Sequence, residues 1–202
     1  QPIQGSCLLT FIYPKLSTSV LAWLLCLALV LLGVFVYWPG MQSLFLFDDF
    51  PNLAPLEYLD NAGPAAAGFR EFVWSGASGP LGRPVSLLTF ALQADHWPAD
   101  PAAFKWVNLG LHLLAGMLVF AVVSSLARLA GVRSRAAVLV IGGTTSALWL
   151  LHPVQTATVL YTVQRMTLLS SIFMLAALQG YLILRIRYFA SWRKGGFFLG
   201  SA

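Results

Sequence analysis

The sequence carries very little charge for its length. Only 9% of its 202 residues are charged and 58% are hydrophobic, whereas a soluble domain has about a quarter of its residues charged. This excludes an ordinary water-soluble domain and predicts an integral membrane protein. The net charge of +5 then belongs to basic residues that flank membrane spans, so it does not indicate a nucleic-acid partner.

Cysteines and common catalytic motifs are also scarce. Cys26 lies inside the first apolar run and Cys7 lies before it, so we expect neither a disulfide nor a CxxC metal site. There is no Walker-type phosphate loop, no HExxH and no GxSxG. Nucleotide-driven chemistry and the familiar hydrolase mechanisms are therefore not expected.

What the sequence does contain is a series of long apolar runs, which predict an all-α polytopic fold with about four transmembrane helices. Residues 17–38 carry no charge and are long enough to cross a hydrocarbon core of about 30 Å. The spans are predicted at 17–38, 104–127, 136–151 and 158–184, with an N-terminal segment (1–16), a long first loop (39–104) and a basic tail (185–202) that is cytoplasmic or begins a further span.

Two segments of the first loop, 65–74 and 84–92, predict amphipathic helices lying in the membrane interface. In the first, Phe69, Phe72 and Val73 share one helical face. The second begins with proline, which suits the first turn of a helix, and is too short to span a membrane. We expect both helices to rest on the membrane with their apolar faces down.

The distribution of charge predicts the orientation. All seven acidic residues lie between Asp48 and Asp100, in the first loop. Eight of the twelve basic residues fall on the opposite side of the predicted spans: Lys15, Arg128, Arg133, Arg135, Arg185, Arg187, Arg193 and Lys194. The positive-inside rule therefore places the N-terminus in the cytoplasm, and the first loop and the turn at His152 outside.

Asp48 and Asp49 are the first candidate site. A carboxylate beside apolar surface suits a general base that deprotonates a hydroxyl acceptor, and a pair could hold a divalent cation such as Mg²⁺ or Mn²⁺. The alternative is a surface turn whose acids cap the next helix.

Polar residues inside the predicted spans form a second set of candidates. Asn108 and His112 are four residues apart and share a helix face, where they either mark a functional site or form an interhelical hydrogen bond. Lys105, at the start of the same helix, is interpreted as a side chain that reaches out to the interface.

Cationic residues near the outer face could bind an anion. Arg165 is predicted about two turns inside the fourth span, where its planar guanidinium would suit the phosphate of a lipid carrier. The alternative is that its side chain extends toward the lipid headgroups at the outer face. Arg83 is a second anion contact or a helix-flanking charge. His152, before Pro153, either contacts substrate or caps a helix.

Several of these motifs occur in an order that resembles a known family. They are FLFDDF at 45–50, GRPVS at 82–86, VNLGLHLL at 107–114, HPVQT at 152–156 and VQRM at 163–166. Together they resemble the N-terminal membrane region of bacterial relatives of the transmembrane and TPR repeat-containing O-mannosyltransferases, which belong to the GT-C superfamily. Because those enzymes have more spans, we expect this chain to be a fragment or one subunit of a larger assembly.

The resemblance implies an inverting glycosyltransferase of the bacterial inner membrane that moves a sugar from a polyprenyl phosphate to a protein or glycan acceptor. Asp48 or Asp49 would be the base or metal ligand. The donor would be bound by residues within the shared motifs and turn: Arg165, Arg83, His152, Gln164, His112 and Asn108. The competing hypothesis is a non-catalytic membrane scaffold, with other membrane subunits as partners, whose acidic loop is a docking surface.

Overall fold

The computed structural model describes residues 18–59, 67–75 and 82–198, and the side chains of 20–59, 68–75 and 82–188. Every regular element in these ranges is helical, so the predicted all-α class is confirmed for them. The predicted N-terminal segment 1–16 lies outside the described residues. The α-helices are α1 (Thr18–Tyr37), α2 (Asp49–Leu53), α3 (Ala67–Trp74), α4 (Pro84–Ala91), α5 (Pro101–Leu129), α6 (Arg135–Leu150), α7 (Gln155–Leu160) and α8 (Arg165–Phe198).

Three helical segments are long and apolar enough to cross a membrane, as expected of a helical membrane protein. They are Val20–Gly40, Pro101–Leu129 and Thr162–Tyr188. The helix at the third predicted span, α6, has 16 residues. At 1.5 Å per residue it covers about 24 Å, which is less than the thickness of an average hydrocarbon core.

The long helices alternate in direction. Ser146 in α6 donates a hydrogen bond to the carbonyl oxygen of Gly116 in α5, and Gly142 lies beside Ser124, so α5 and α6 are antiparallel. Asn108 contacts Arg165 near the start of α5 and of α8.

The same two helices meet again further along, where Ser125 of α5 contacts Gln179 of α8. Because the contacts advance in the same direction along both chains, α5 and α8 are parallel. The chain between them, which includes α6, therefore returns across the bundle.

The fourth predicted span, 158–184, contains a break between two helices that the sequence did not indicate. α7 ends at Leu160, Tyr161 is extended, and a 3-10 helix covers Thr162–Gln164 before α8 begins. Arg165 is therefore the first residue of α8 rather than lying two turns inside a helix. The reason is tertiary: side chains from other elements bind the backbone groups that the break exposes.

The first loop folds into a packed cap over this end of the bundle. A hydrophobic core joins α2, α3 and α4 to the start of α5, and its central side chains include Phe45, Leu53, Leu87, Phe90 and Phe104. Helices form at both predicted amphipathic segments. The apolar residues Phe72 and Val73 of α3 are buried in this protein core, so that face packs on the cap, which corrects the expectation that it rests on lipid.

Close packing of α5 against α6 generates a test that uses two glycines of one helix. A Cβ at Gly116 would lie 2.5 Å from Leu150 of α6, whereas nothing lies within 4 Å of a Cβ at Gly110. We expect Gly116→Val to destabilise the protein by about 1–3 kcal/mol through overpacking, and Gly110→Val to change stability far less. Thermal unfolding in detergent measures both, and equal effects would contradict the packing described.

Candidate functional site

The site is built around the break between α7 and α8. A break in a helix exposes carbonyl and N–H groups, and inside a membrane protein these need partners from neighbouring elements. Asn108 supplies the donor for the carbonyl groups, because its Nδ2 donates to the carbonyl oxygens of Val159, Tyr161 and Thr162 at 3.2–3.3 Å. Asn108 is fully buried. It is therefore part of the structural framework, as the hydrogen-bond alternative proposed.

Asp49 provides the complementary contacts to the exposed N–H groups. Its Oδ1 accepts from the backbone N–H of Val163 at 2.7 Å, and its Oδ2 accepts from that of Leu46 at 2.9 Å. One buried carboxylate thus joins the first loop to the 3-10 helix that precedes α8. Burial raises the pKa of Asp49, while backbone donors, chiefly those of Leu46 and Val163, and the charge of Lys105 oppose that rise.

Asp48, in contrast, is exposed. Its backbone N–H donates to the Tyr161 hydroxyl at 2.9 Å, and its carbonyl oxygen accepts from the side chain of Asn52 at 2.7 Å. The backbone of Asp48 is therefore fixed from two sides, and its carboxylate lies on the surface beside the helix break. The two adjacent acids have different environments, which the sequence alone did not distinguish.

Lys105 is buried, which corrects its interpretation as an interfacial side chain. Its ammonium group donates to the carbonyl oxygen of Ser43, to the Ser43 hydroxyl at 2.7 Å and to the carbonyl oxygen of Leu44 at 3.3 Å. It thereby holds residues 43 and 44, which shortly precede the two acids. The spacing of Lys105 from Asn108 and His112 indicates that it faces the bundle, because the three residues fall on one face of α5, but the spacing does not identify its partners.

Arg165 is fully buried. Its Nε donates to Asn108 Oδ1 at 2.9 Å, and its other nitrogens donate to the carbonyl oxygens of Thr89 at 3.0 Å and Phe104 at 2.9 Å. The guanidinium carbon also lies 4.4 Å from the centre of the Phe90 ring. Arg165 therefore links α4, α5 and α8 through neutral partners, and within the described residues no carboxylate lies within 4 Å of it.

Two residues of the cap have backbone conformations that non-glycine residues rarely adopt. Phe47 has φ of 34° and Arg83 has φ of 43°, the positive values found at non-glycine residues in the described part of the chain. Such conformations cost about 1–3 kcal/mol each and persist where the surroundings enforce them. Phe47 directly precedes Asp48. Arg83 is exposed, and its Nη1 lies 3.1 Å from the sulfur of Met166.

The remaining predicted site residues lie elsewhere or have local contacts. His112 is buried against Tyr37 and Trp149, with Nε2 3.0 Å from the carbonyl oxygen of Leu150. Its contacts tie α5 to α1 and to the end of α6.

His152 and Gln164 make contacts within their own turns. His152 is exposed, and its Nδ1 accepts from the backbone N–H of Val154 at 3.2 Å. Gln164 is half-buried and accepts from the hydroxyl of Thr167 at 2.9 Å. Among the predicted residues, Gln164 belongs to the helix break itself, and the structure brings to it Asp48, Asp49, Asn108, Arg165 and Arg83.

A divalent cation at the acidic pair fits these residues poorly. Both oxygens of Asp49 already accept backbone N–H groups, which leaves Asp48 as the carboxylate with open coordination. No cluster of three or more His, Cys, Asp or Glu residues suited to a metal occurs within the described ranges. Oxygen-ligated cations take six or more ligands, and Asp48 alone supplies at most two carboxylate oxygens.

The two acids provide a matched pair of variants for stability. Asp49→Asn replaces one acceptor oxygen with a donor, so it leaves a backbone N–H of Val163 or Leu46 without an acceptor. We expect a loss of about 1–3 kcal/mol, because the relief of burying a charge offsets only part of this. Asp48→Asn should leave the unfolding midpoint unchanged. If the two variants unfold alike, the role assigned to Asp49 is wrong.

Asn108 is the second target at the break. Asn108→Ala removes the donor to three carbonyl oxygens and the acceptor of Arg165, so we expect a loss of about 2–4 kcal/mol from several hydrogen bonds of about 1–1.5 kcal/mol each. Gln93→Ala, which removes one donor to the carbonyl oxygen of Ala103, is the control and should cost much less. Denaturation in mild detergent compares the two, and an equally small loss in both variants would contradict the proposed framework.

Comparison with known proteins gives no match for this chain: no family model, no curated protein and no solved structure matches it. The resemblance to the GT-C glycosyltransferases therefore rests on the ordered sequence motifs.

Proposed function

We propose that this chain forms the outer acidic site of a GT-C-type glycosyltransferase that uses a polyprenyl-phosphate sugar. The observation that carries the proposal is that two exposed charged residues lie at, or directly after, a residue with a strained backbone conformation. Asp48 follows the strained Phe47, and Arg83 is itself strained. Both residues contact the same short segment, at Tyr161 and Met166 respectively. Enforced backbone strain is concentrated at functional sites, and this one presents a base and a cation.

The proposed reaction is a single displacement. The carboxylate of Asp48 removes the proton from an acceptor hydroxyl, and the resulting oxygen attacks the anomeric carbon of the sugar. The bond between that carbon and the phosphate oxygen breaks, and the lipid phosphate leaves with the electron pair. Arg83 is suited to stabilise the developing negative charge. Attack opposite the leaving group inverts the anomeric centre.

We assign these roles by comparing the burial of the two acids and of the two arginines. Asp49 and Arg165 are fully buried, and their polar atoms are engaged by protein groups, so we assign them to positioning the site. Asp48 and Arg83 are exposed and keep groups available for a substrate. The sequence-based prediction that Arg165 binds the phosphate is thus replaced in our proposal by Arg83.

We further propose four crossings, with the N-terminus in the cytoplasm of a bacterial inner membrane. Because α5 and α8 are parallel neighbours, α6 has to return the chain between them, which supports a short fourth span. A helix of about 24 Å is long enough to cross a bilayer that is locally thinned. It is also long enough where other parts of the protein cover the ends of the helix. The arginine-rich α5–α6 turn would then face the cytoplasm.

The test is sugar transfer by the full chain in proteoliposomes, with polyprenyl-phosphate mannose or glucose as donor and a hydroxyl-bearing peptide or glycan as acceptor. The release of polyprenyl phosphate is measured. We expect Asp48→Asn to lower the rate by about 10²–10⁴-fold, the range for loss of a general base, without changing stability. Asp95→Asn, another exposed acid of the cap, is the control. Full activity in Asp48→Asn, or no release by the unmodified protein, would contradict the proposal.

A scaffold function is the second candidate, and large exposed apolar side chains favour it. Phe47, Leu44 and Tyr58 of the cap are each more than three-quarters exposed, and exposed apolar side chains of this size suit a protein partner or the membrane interface. If Phe47→Ser releases a co-purifying membrane protein while Asp48→Asn leaves the complex and its function intact, the scaffold is favoured over the enzyme.

A further inference from the structure

A second polar feature lies at the opposite end of the bundle from the acidic cap. A cavity of about 550 Å³ opens between α1, α5 and α6, beside the turn that joins α5 to α6. Arg128, Arg133 and Arg135 line it, together with the buried Ser124. Its volume is within the range of small-molecule sites.

The arginines at this cavity have no acidic counterpart nearby in the sequence. All seven acidic residues lie between Asp48 and Asp100, in the first loop and not beside these arginines in the sequence. Within the described residues, the ion pairs present involve His96, so none neutralises Arg128, Arg133 or Arg135. The cavity therefore concentrates positive charge that a bound anion would complement.

Ser124 is an independent indication of a ligand. Ser124 is buried, with a relative exposure of 8%, it lines the cavity, and its hydroxyl oxygen has no hydrogen-bond partner among the described residues. A buried hydroxyl without a partner is costly. An acceptor oxygen in the cavity would satisfy it.

The remaining wall of the cavity is apolar. Phe120, Val138 and Leu139 line it, and the adjoining surface belongs to helices α1 and α5, which are long and apolar enough to span a membrane. A basic pocket between such helices, near their ends, lies at the level of lipid headgroups. An acyl chain could follow the apolar wall while the charged group meets the arginines.

We propose that this cavity binds the phosphate headgroup of an anionic membrane phospholipid. The guanidinium groups of Arg128, Arg133 and Arg135 would donate to the phosphate oxygens, with the planar fork matching their geometry. The Ser124 hydroxyl would donate to an oxygen of the headgroup. The site is separate from the acidic cap, and its occupancy does not depend on whether the cap is catalytic.

The test measures lipid binding to the full chain by native mass spectrometry in mild detergent, titrating phosphatidylglycerol against phosphatidylcholine. We expect one saturable phosphatidylglycerol and no comparable phosphatidylcholine. The double variant Arg133→Gln with Arg135→Gln should weaken phosphatidylglycerol binding by at least about tenfold, because it removes charge-assisted hydrogen bonds. Arg185→Gln with Arg187→Gln removes the same charge outside the cavity and should change binding less than about twofold.

Ser124→Ala leaves every charge unchanged. It therefore distinguishes a specific hydrogen-bonded site from non-specific electrostatic attraction of the lipid. We expect it to weaken phosphatidylglycerol binding by about threefold to tenfold, as for a lost hydrogen bond, while the unfolding midpoint of the lipid-free protein does not fall. Equal losses in the two arginine pairs, or no loss in Ser124→Ala, would overturn the proposal. Inorganic phosphate that displaces the lipid at equal concentration would also overturn it, because the site would then prefer the free ion.

Discussion

The rest of the structure depends on which side chains bind the backbone carbonyl and N–H groups at the break between α7 and α8. A continuous helix would pair its own carbonyl and N–H groups, but here they are exposed around Tyr161. Asn108 binds the freed carbonyl oxygens and Asp49 binds the N–H group of Val163. Since Asn108 belongs to α5 and Asp49 to the cap, the same contacts that stabilise the break also attach the cap to the bundle.

Three charged side chains are fully buried near this break, and none relies on an ion pair within the described residues. Asp49 accepts hydrogen bonds from backbone N–H groups, and Lys105 donates to the carbonyl oxygens of residues 43 and 44. Arg165 donates to neutral acceptors and packs against aromatic rings. Burying a charge is favourable only when its hydrogen bonds are met. These residues are thus committed to the framework, and our proposal assigns the chemistry to the exposed charges Asp48 and Arg83.

Sequence patterns located the helices well, because apolar length and proline at a first turn are local signals. They placed helices at the amphipathic segments that became α3 and α4, and they identified the polar face that carries Asn108. They missed the break before Arg165, since nothing local in that apolar run distinguishes a broken helix from an intact one. They also misjudged Lys105, because its partners come from residues 43 and 44, which are distant in sequence.

The most direct test of this account is amide hydrogen exchange at Val163, resolved by NMR in detergent or nanodiscs. This N–H lies outside the hydrogen bonds of a continuous helix, and its acceptor is the Asp49 carboxylate. The account predicts that it exchanges about as slowly as amides inside α8, and that Asp49→Asn accelerates it selectively. Exchange at the rate of an exposed loop, or slow exchange that Asp49→Asn leaves unchanged, would contradict the account.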